Sequence, residues 1–150
     1  MGAGYSLRVP RVEELDSLLE LHRASMGGYI EAVWGPWDDG LQRSFWNERV
    51  DKGLLQVIEV GGVVAGLLEV HRSEGATEVV NLELAPELQR AGIGTAILVD
   101  IQAEAAGCGA GVVLQVLKVN PARRLYERLG FVATGETEWH TQMRWSRTGP

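Results

Sequence analysis

The sequence contains only one cysteine, Cys108, so no disulfide can form within the chain. This absence excludes the small secreted domains that disulfides hold together, and it suits a reducing compartment such as the cytoplasm. No run of 18 or more apolar residues occurs, so the pattern of a membrane-spanning helix is missing. The N-terminus lacks a charged region followed by an apolar core, so no secretory signal is expected.

Positive charge is also scarce. The 14 Lys and Arg residues are outnumbered by 20 Asp and Glu residues, which gives a net charge of -6. A nucleic-acid-binding protein needs a basic face for the phosphate backbone, so that class is not favoured. Repeats, low-complexity segments and long linkers are missing too. The 150 residues, 45% of them hydrophobic, therefore predict a single domain, 1–150, with a core of ordinary size.

What the sequence does contain is a glycine-rich turn between a predicted strand, 78–84, and a predicted helix, 95–106. Free N–H groups at a helix start, together with the helix dipole, make such a turn suited to an anion. The turn lacks the Gly-Lys-Ser/Thr of nucleotide hydrolases, and Ile97 stands where a dinucleotide-binding motif needs a third glycine. A helix start softened by glycine, with no ligand, is the remaining alternative.

The run 89–94, QRAGIG, resembles the loop with which GCN5-related N-acetyltransferases (GNATs) hold the pyrophosphate of acetyl-CoA. The run 120–131 resembles the C-terminal motif of that family, in which an Asn after a strand leads into a short helix bearing Leu-Tyr and ending in Gly-Phe. Local chemistry predicts the same helix, with Asn120 as N-cap, Pro121 at the first helical position and Gly130 at the C-cap. The two motifs occur in the family's order, and the resemblance covers nearly the whole chain.

The resemblance implies an α/β (α+β) GNAT fold, a mixed and mostly antiparallel sheet of six to seven strands flanked by about four helices. It also implies acetyl-CoA as cofactor and direct transfer of its acetyl group to a primary amine in a ternary complex. No metal site is predicted. The residues expected to contact the cofactor are Leu82, Glu83, Leu84, Gln89, Arg90, Ala91, Gly92, Ile93, Gly94, Thr95, Asn120 and Tyr126.

Tyr126 aligns with the family tyrosine that protonates the leaving sulfur, and packing is its alternative role. Several family members place a Glu or His base on the fifth strand, but here that position is Gln115, whose amide cannot take a proton. Glu83 and Glu78 are the remaining nearby carboxylates, and Glu83 is slightly favoured because an unpaired carboxylate on a central strand needs a reason to be there. A water relay or an already neutral amine would also serve.

The acceptor side is predicted from the segment 26–46, which holds three of the five tryptophans. Tyr29, Trp34, Trp37 and Asp38 would form an apolar slot beside acidic groups, suited to a cationic amine. In the alternative, the two tryptophans close the core beneath a helix whose N-terminus Asp38 caps. The acceptor is expected to be a small-molecule or peptide amine, and a homodimer is left open.

The remaining chain predicts supporting elements. His22 shares a helical stripe with Leu15, Leu18 and Leu19, so it is interpreted as a packed residue rather than a catalytic one. Gly61-Gly62 predicts a two-residue hairpin turn. A final antiparallel pair is predicted from 131–134 and 138–145, joined through 135–137, and Glu138 and His140 on it are outlying candidates for the base. Two rival functions remain, a CoA-binding module without turnover and a transferase of another acyl group.

Overall fold

A computed structural model describes residues 4–147 of the chain. In that range the chain forms seven strands: β1 (Ser6–Arg8), β2 (Gln56–Val60), β3 (Val63–Ser73), β4 (Ala76–Leu84), β5 (Gly111–Leu117), β6 (Val132–Glu136) and β7 (His140–Trp145). The same range forms four α-helices: α1 (Leu15–Trp34), α2 (Asp39–Asp51), α3 (Ile93–Gly107) and α4 (Arg123–Arg128). Short 3-10 helices, Val12–Glu14 and Pro86–Leu88, precede α1 and follow β4.

The strands form one sheet in the order β1-β2-β3-β4-β5-β7-β6. The β1–β2, β2–β3, β5–β7 and β6–β7 pairs are antiparallel, whereas β4 and β5 are parallel. Parallel neighbours need a crossover connection, and α3 provides it. The parallel pairing ends where Val79 lies opposite Leu114, and β4 continues beyond it to Leu84. The predicted fold class is confirmed.

The chain divides into two compact units. The first comprises the chain up to Glu69 together with Asn81–Ile93, and the second comprises Val70–Val80 and the chain from Gly94 onward. Strands β3 and β4 therefore contribute residues to both units. The assignment of 1–150 as a single domain stays a prediction.

The core of the first unit forms where α1 and α2 bury apolar side chains with those of β2 and β3. Its members are Leu18, Leu19, Trp46, Leu55, Val57 and Leu67. Helix α1 ends at Gly35, whose φ of +90° favours glycine. Helix α2 begins after Asp38, whose side chain accepts a hydrogen bond from the Leu41 N–H at 3.0 Å. The predicted hairpin between β2 and β3 is present, with positive φ at both Gly61 and Gly62.

The second unit buries one face of α3 and alternate residues of β5 and β7. Ile97, Leu98 and Ile101 of α3 are buried, as are Leu114 and Met143 on the strands. Replacing a buried side chain of this kind by alanine typically costs about 2–5 kcal/mol. None of the helices in residues 4–147 combines the length and the apolar character needed to cross a bilayer.

Helix α4 begins later than predicted. Its N-cap is Ala122, not Asn120, and its first helical residue is Arg123 rather than Pro121. The reason is a tight turn before the helix, in which Asn120 Oδ1 accepts from the Ala122 N–H at 2.9 Å and the Arg124 N–H bonds to the carbonyl of Pro121. At the other end the C-cap is Leu129, one residue before the predicted Gly130.

The last hairpin also differs from its prediction. Strand β6 extends through Gly135 to Glu136, so the connection to β7 is 137–139 rather than 135–137. A register shift between Ala133 and Gly135 places the extra residue within the strand. Thr137 closes the new turn, because its N–H bonds to the His140 carbonyl and its Oγ1 accepts from the His140 N–H.

Candidate active site

The loop between β4 and α3 has an unusual backbone. Arg90 is the one non-glycine residue with positive φ in the described range, at +66°, and Gly92 follows with φ of +83°. A left-handed conformation at a residue with a Cβ costs of order 1–3 kcal/mol and is concentrated at ligand-binding positions. Gln89 is exposed, and its Nε2 donates to the Leu84 carbonyl at 3.0 Å, which ties the loop to the end of β4.

This loop presents a row of unused N–H groups. Within residues 4–147 nothing accepts a hydrogen bond from the N–H groups of 90–92. Ile93, Gly94 and Thr95 begin α3, where no carbonyl four residues earlier lies within the helix to accept from them. A Cβ built on Gly92 would meet no atom within 4 Å, so the backbone is open to a ligand on that side. The row is suited to a diphosphate.

Strand β3 approaches the end of β4 unusually closely. A Cβ placed on Gly66 would lie 2.0 Å from the Glu83 carbonyl oxygen, so only glycine fits there. The Ala85 N–H also bonds to the Ala65 carbonyl at 2.8 Å. Sequence reasoning missed Gly66, although a glycine inside a strand is a known signal of a close backbone approach. Gly66 therefore permits the close approach of β3 to Glu83 and Leu84.

Glu83 lies inside the first unit rather than at its surface. Only 3% of the residue is exposed, and its Oε1 is 2.7 Å from Nδ1 of His22 on α1. Its second oxygen, Oε2, is buried and has no hydrogen-bond partner. His22 is packed as predicted, with 8% exposure, but the sequence contained no signal of its partner. The structure thus joins a residue interpreted as packing to a candidate base 61 positions away.

Aromatic rings enclose His22. Its imidazole stacks on Trp46 at 5.4 Å between centroids with an interplanar angle of 22°, and Trp37 lies 5.8 Å away at 55°. Arg23 lies over Trp37, and Arg49 lies over Trp46. These ring contacts hold the imidazole in one orientation.

A second buried carboxylate lies in the same unit. Glu69, 3% exposed, accepts from Arg49 Nε at 3.1 Å and from Asn81 Nδ2 at 3.2 Å. Its charge is therefore compensated by a guanidinium and an amide, as a buried carboxylate requires. The contrast with Glu83 is clear, because the polar partner found for Glu83 is a single imidazole nitrogen.

Of the residues predicted for the acceptor slot, Trp37 packs against the core of the first unit. Asp38 caps α2, which agrees with the alternative interpretation of that segment. Trp34 ends α1 with 49% of its surface exposed, and Tyr29 is half-buried on the same helix. The segment therefore combines a core tryptophan with an exposed one.

Tyr126 is half-buried on α4, and two backbone bonds fix its position. The Phe131 N–H bonds to the Tyr126 carbonyl at 3.0 Å and the Gly130 N–H to the Glu127 carbonyl at 3.1 Å, which is a Schellman ending with Gly130 at φ +94°. The ring contacts Phe131 edge-on at 5.9 Å. Burial raises the pKa of Tyr126 to about 12, so its hydroxyl proton is present at every physiological pH.

The other candidate carboxylate, Glu78, lies in the second unit. It lines a groove of about 410 Å³ on the sheet, and Gln115, on the neighbouring strand, lines the same groove. The remaining lining residues are Val113, Leu114, Thr134, Gln142, Met143 and Arg144. Glu138 is exposed in the turn before β7, and His140 is half-buried at the first position of that strand. Among the described residues, no group of three or more His, Cys, Asp or Glu side chains is placed to hold a metal ion.

A family model of the acetyltransferase (GNAT) domain matches residues 36–146, which is more than half of the chain. The chain belongs to the GNAT acetyltransferase family. The resemblance stated from the two motifs is thereby confirmed. A search of the curated proteins gives no match.

Solved GNAT structures share the fold at low sequence identity. The PaiA N-acetyltransferase of Thermoplasma acidophilum, in complex with coenzyme A, is 19% identical with a TM-score of 0.72, covering 95% of this chain and 99% of its own. The ribosomal-protein-S18-alanine N-acetyltransferase of Escherichia coli is 19% identical with a TM-score of 0.65, covering 95% and 93%. The yncA protein of Salmonella typhimurium, with its cofactor acetyl-CoA, is 23% identical with a TM-score of 0.62, also covering 95% and 93%.

Asn120, a residue of the C-terminal motif, already makes one hydrogen bond within the chain. Asn120 uses Oδ1 to cap the turn before α4, and within the described chain nothing accepts from its Nδ2. An amide nitrogen donates hydrogen bonds only, so a ligand contact through Nδ2 would be a donated one.

Proposed function

We propose that the protein transfers the acetyl group of acetyl-CoA directly to a primary amine. The row of unused N–H groups at 90–95, in a loop strained at Arg90, carries this proposal, because it is built for a diphosphate rather than for helix capping. The structural neighbours support the choice of ligand, since one is in complex with coenzyme A and another with its cofactor acetyl-CoA.

Each part of the donor has a proposed contact. The N–H groups from Arg90 to Thr95 would hold the pyrophosphate, and the Arg90 guanidinium, which is exposed, would add a charged hydrogen bond. Ala91 stands where many loops of this kind carry a second basic residue, so Arg90 supplies the side-chain charge alone. The backbone of Leu82–Leu84 would pair with the pantetheine arm, as another strand would, and Asn120 Nδ2 would donate to the same arm.

Tyr126 is the proposed acid. Acetyl-CoA, when bound, supplies an electrophilic carbonyl carbon and a thiolate leaving group. A hydroxyl whose pKa is about 12 keeps its proton at any assay pH, so a donor is always available to the departing sulfur. The side chain is held by the Schellman ending of α4 and by Phe131, which reduces the entropy lost when it acts.

Two carboxylates, Glu78 and Glu83, are candidates for the general base. Glu78 is exposed and lines the groove that Gln115 also lines, so it can meet solvent and a bulky acceptor. Glu83 is buried behind His22, so an acceptor would reach it only through another group. A water relay or a neutral amine is compatible with either carboxylate.

The acceptor class follows from the surroundings of α1 and α2. Tyr29, Trp34, Trp37 and Asp38 would provide rings for a cation and a nearby negative charge. A small-molecule amine and a peptide amine both satisfy this chemistry. The Escherichia coli neighbour acts on an alanine of a ribosomal protein, so a peptide led by alanine belongs in the first panel of acceptors.

The test is release of free thiol from acetyl-CoA, followed with DTNB, across spermidine, L-lysine and an alanine-led peptide. We expect turnover with at least one of them well above the hydrolysis seen without amine. The Cys108 thiol is exposed and also reacts with DTNB, so a Cys108→Ser variant provides the background. Acetyl-CoA binding without turnover on any amine would contradict the enzyme.

A second function is favoured by one observation. Gln115 occupies the position of the base in several amino-terminal acetyltransferases, which would suit a module that binds CoA without turnover. The same thiol assay separates this module from a transferase. Substituting propionyl-CoA and longer acyl-CoA thioesters in that assay would identify a transferase of a different acyl group.

A further inference from the structure

We propose that His22, acting through Nε2, takes the proton from the acceptor amine, and that Glu83 is the positioning residue behind it. This inference rests on the proposed acetyltransferase function. It exchanges the roles that the sequence suggested, in which Glu83 was a candidate base and His22 a packed residue.

The first argument is accessibility. Glu83 has 3% of its surface exposed, and Oε2 is fully buried, so no acceptor amine reaches this carboxylate in the folded chain. His22 retains 8% exposure, and Nδ1 is the ring nitrogen that Glu83 engages. Within residues 4–147 four buried side-chain atoms make no hydrogen bond, namely Arg8 Nε, Trp46 Nε1, Arg49 Nη2 and Glu83 Oε2, although the two arginine nitrogens form ion pairs. In the described part of the chain nothing bonds to Nε2 of His22, and this atom is not among the buried ones, so it keeps contact with solvent.

The second argument is the tautomer. An ionised carboxylate only accepts hydrogen bonds, so the 2.7 Å contact requires a proton on Nδ1 of His22. In the neutral ring Nε2 then carries the lone pair and is free to accept a proton. When that proton arrives, the adjacent carboxylate stabilises the imidazolium by charge. A buried carboxylate behind the inner nitrogen therefore leaves the outer nitrogen as the proton acceptor and sets its direction.

The third argument is rigidity and charge. Trp46 and Trp37 fix the ring plane from two sides, so Nε2 has one direction. The charged groups around the pair are Glu83 itself, Arg49 over Trp46, Arg23 over Trp37, and Glu69, which binds Arg49. Arg49 and Glu69 compensate each other, so the charge that faces His22 directly is that of Glu83.

The proton balance closes without any further reagent. The nitrogen of the neutral amine forms the C–N bond and gives its extra proton to Nε2 of His22. The C–S electron pair leaves with the sulfur, which takes the hydroxyl proton of Tyr126. His22 then releases its proton to water and Tyr126 regains one, so the products are the acetamide and the free thiol.

The first experiment needs no acceptor amine. Long-range ¹H–¹⁵N spectra of the full chain labelled on histidine report which ring nitrogen carries the proton, and His71→Gln and His140→Gln variants complete the assignment. We expect the Nδ1–H tautomer for His22 at pH 8, and a shift towards the Nε2–H tautomer in Glu83→Gln. A wild-type His22 protonated on Nε2 would overturn the proposal.

The second experiment measures kcat/KM against pH, with whichever of spermidine, L-lysine and the alanine-led peptide is acetylated. The wild type should gain rate with pH as one group loses its proton. His22→Gln should lower kcat/KM by about 100-fold or more, and its kcat/KM should no longer rise with pH. Its affinity for acetyl-CoA, measured by calorimetry, should stay within about twofold of the wild type. Glu83→Gln should keep the rising limb at a lower rate, because its amide no longer fixes the tautomer that leaves Nε2 as the proton acceptor.

His71→Gln is the matched control, since His71 is exposed on β3, and it should leave rate and profile unchanged. A His22→Gln enzyme with the wild-type limb would refute the role of His22. If the tautomer is as expected but no amine is acetylated, the proposed acetyltransferase function is wrong. The proton-accepting role of His22 is then wrong too, whereas the His22–Glu83 contact is confirmed. If His22→Gln does not fold, the wild-type tautomer decides, and a His22 ring protonated on Nε2 counts against the pair.

Discussion

Replacing Gly66 with alanine should force β3 and the end of β4 apart and lower the free energy of unfolding. The added Cβ would lie 2.0 Å from the Glu83 carbonyl oxygen and 3.0 Å from Leu84 Cδ2. The first of these atoms belongs to the backbone, so no rotamer change relieves the contact and the two strands must separate. Overpacking of this kind costs about 1–3 kcal/mol, occasionally more, and we expect the upper end, about 3 kcal/mol.

For a chain of this length, 3 kcal/mol lowers Tm by about 6–12 °C. Differential scanning calorimetry measures this shift directly. Acetyl-CoA affinity, followed by isothermal titration, should fall as well, because Leu82–Leu84 is the strand proposed for the pantetheine arm. Both effects come from steric contact alone, since Gly66 is not among the residues with positive φ.

Gly28→Ala is the matched control for this experiment. Gly28 lies on the exposed face of α1, and a Cβ there would meet no atom within 4 Å. Alanine in a helix interior is favoured over glycine by about 0.5–1 kcal/mol, so Tm should rise by about 1–4 °C. If Gly66→Ala melted at or above the wild-type temperature, the close approach of β3 and β4 at Glu83 would be wrong.

Three further predictions follow from single groups. Tyr126→Phe should lower kcat by about 100-fold in the thiol assay and leave acetyl-CoA affinity nearly intact, and an unchanged kcat would remove Tyr126 from the chemistry. Gly92→Glu should abolish acetyl-CoA binding in calorimetry through steric and charge conflict, and normal affinity would contradict the loop assignment. Hydrogen bonding to Arg8 lowers the pKa of Glu14 from 4.5 to about 2, so the contribution of Glu14 to stability is present above pH 4.5 and is lost as pH falls towards 2. In Glu14→Gln the midpoint of urea unfolding should therefore fall less steeply at acid pH than in the wild type. An unchanged acid dependence would contradict this.

Features that depend on neighbouring residues were accessible from the sequence. Gly61-Gly62 needs positive φ for a two-residue turn, and Asp38 can cap only the helix that follows it, so both could be identified from a few adjacent letters. The loop 89–95 belongs to the same class, because its amides, its glycines and the helix start are contiguous. The family resemblance, carried by two short motifs, extended these local features to the order of strands and helices.

Boundaries were less accessible, for a physical reason. Asn120 can cap either a helix or a turn, and the choice depends on whether Pro121 and Ala122 continue into α-helical or tighter bonding. The end of β6 depended in the same way on a register shift against β7, which its own residues do not encode. The alternative boundaries differ in free energy by only a small fraction of what tertiary packing contributes, so packing decides between them.

The sequence by itself determined the family, the glycine-rich loop before α3 and the place of Tyr126 in the C-terminal motif, because each rests on residues close together in the chain. Only the tertiary structure decided the partner of Glu83, the need for glycine at position 66 and the inward position of Trp37. Those features join residues many positions apart, such as His22 and Glu83, and a contact of that kind exists only once the strands and helices have packed.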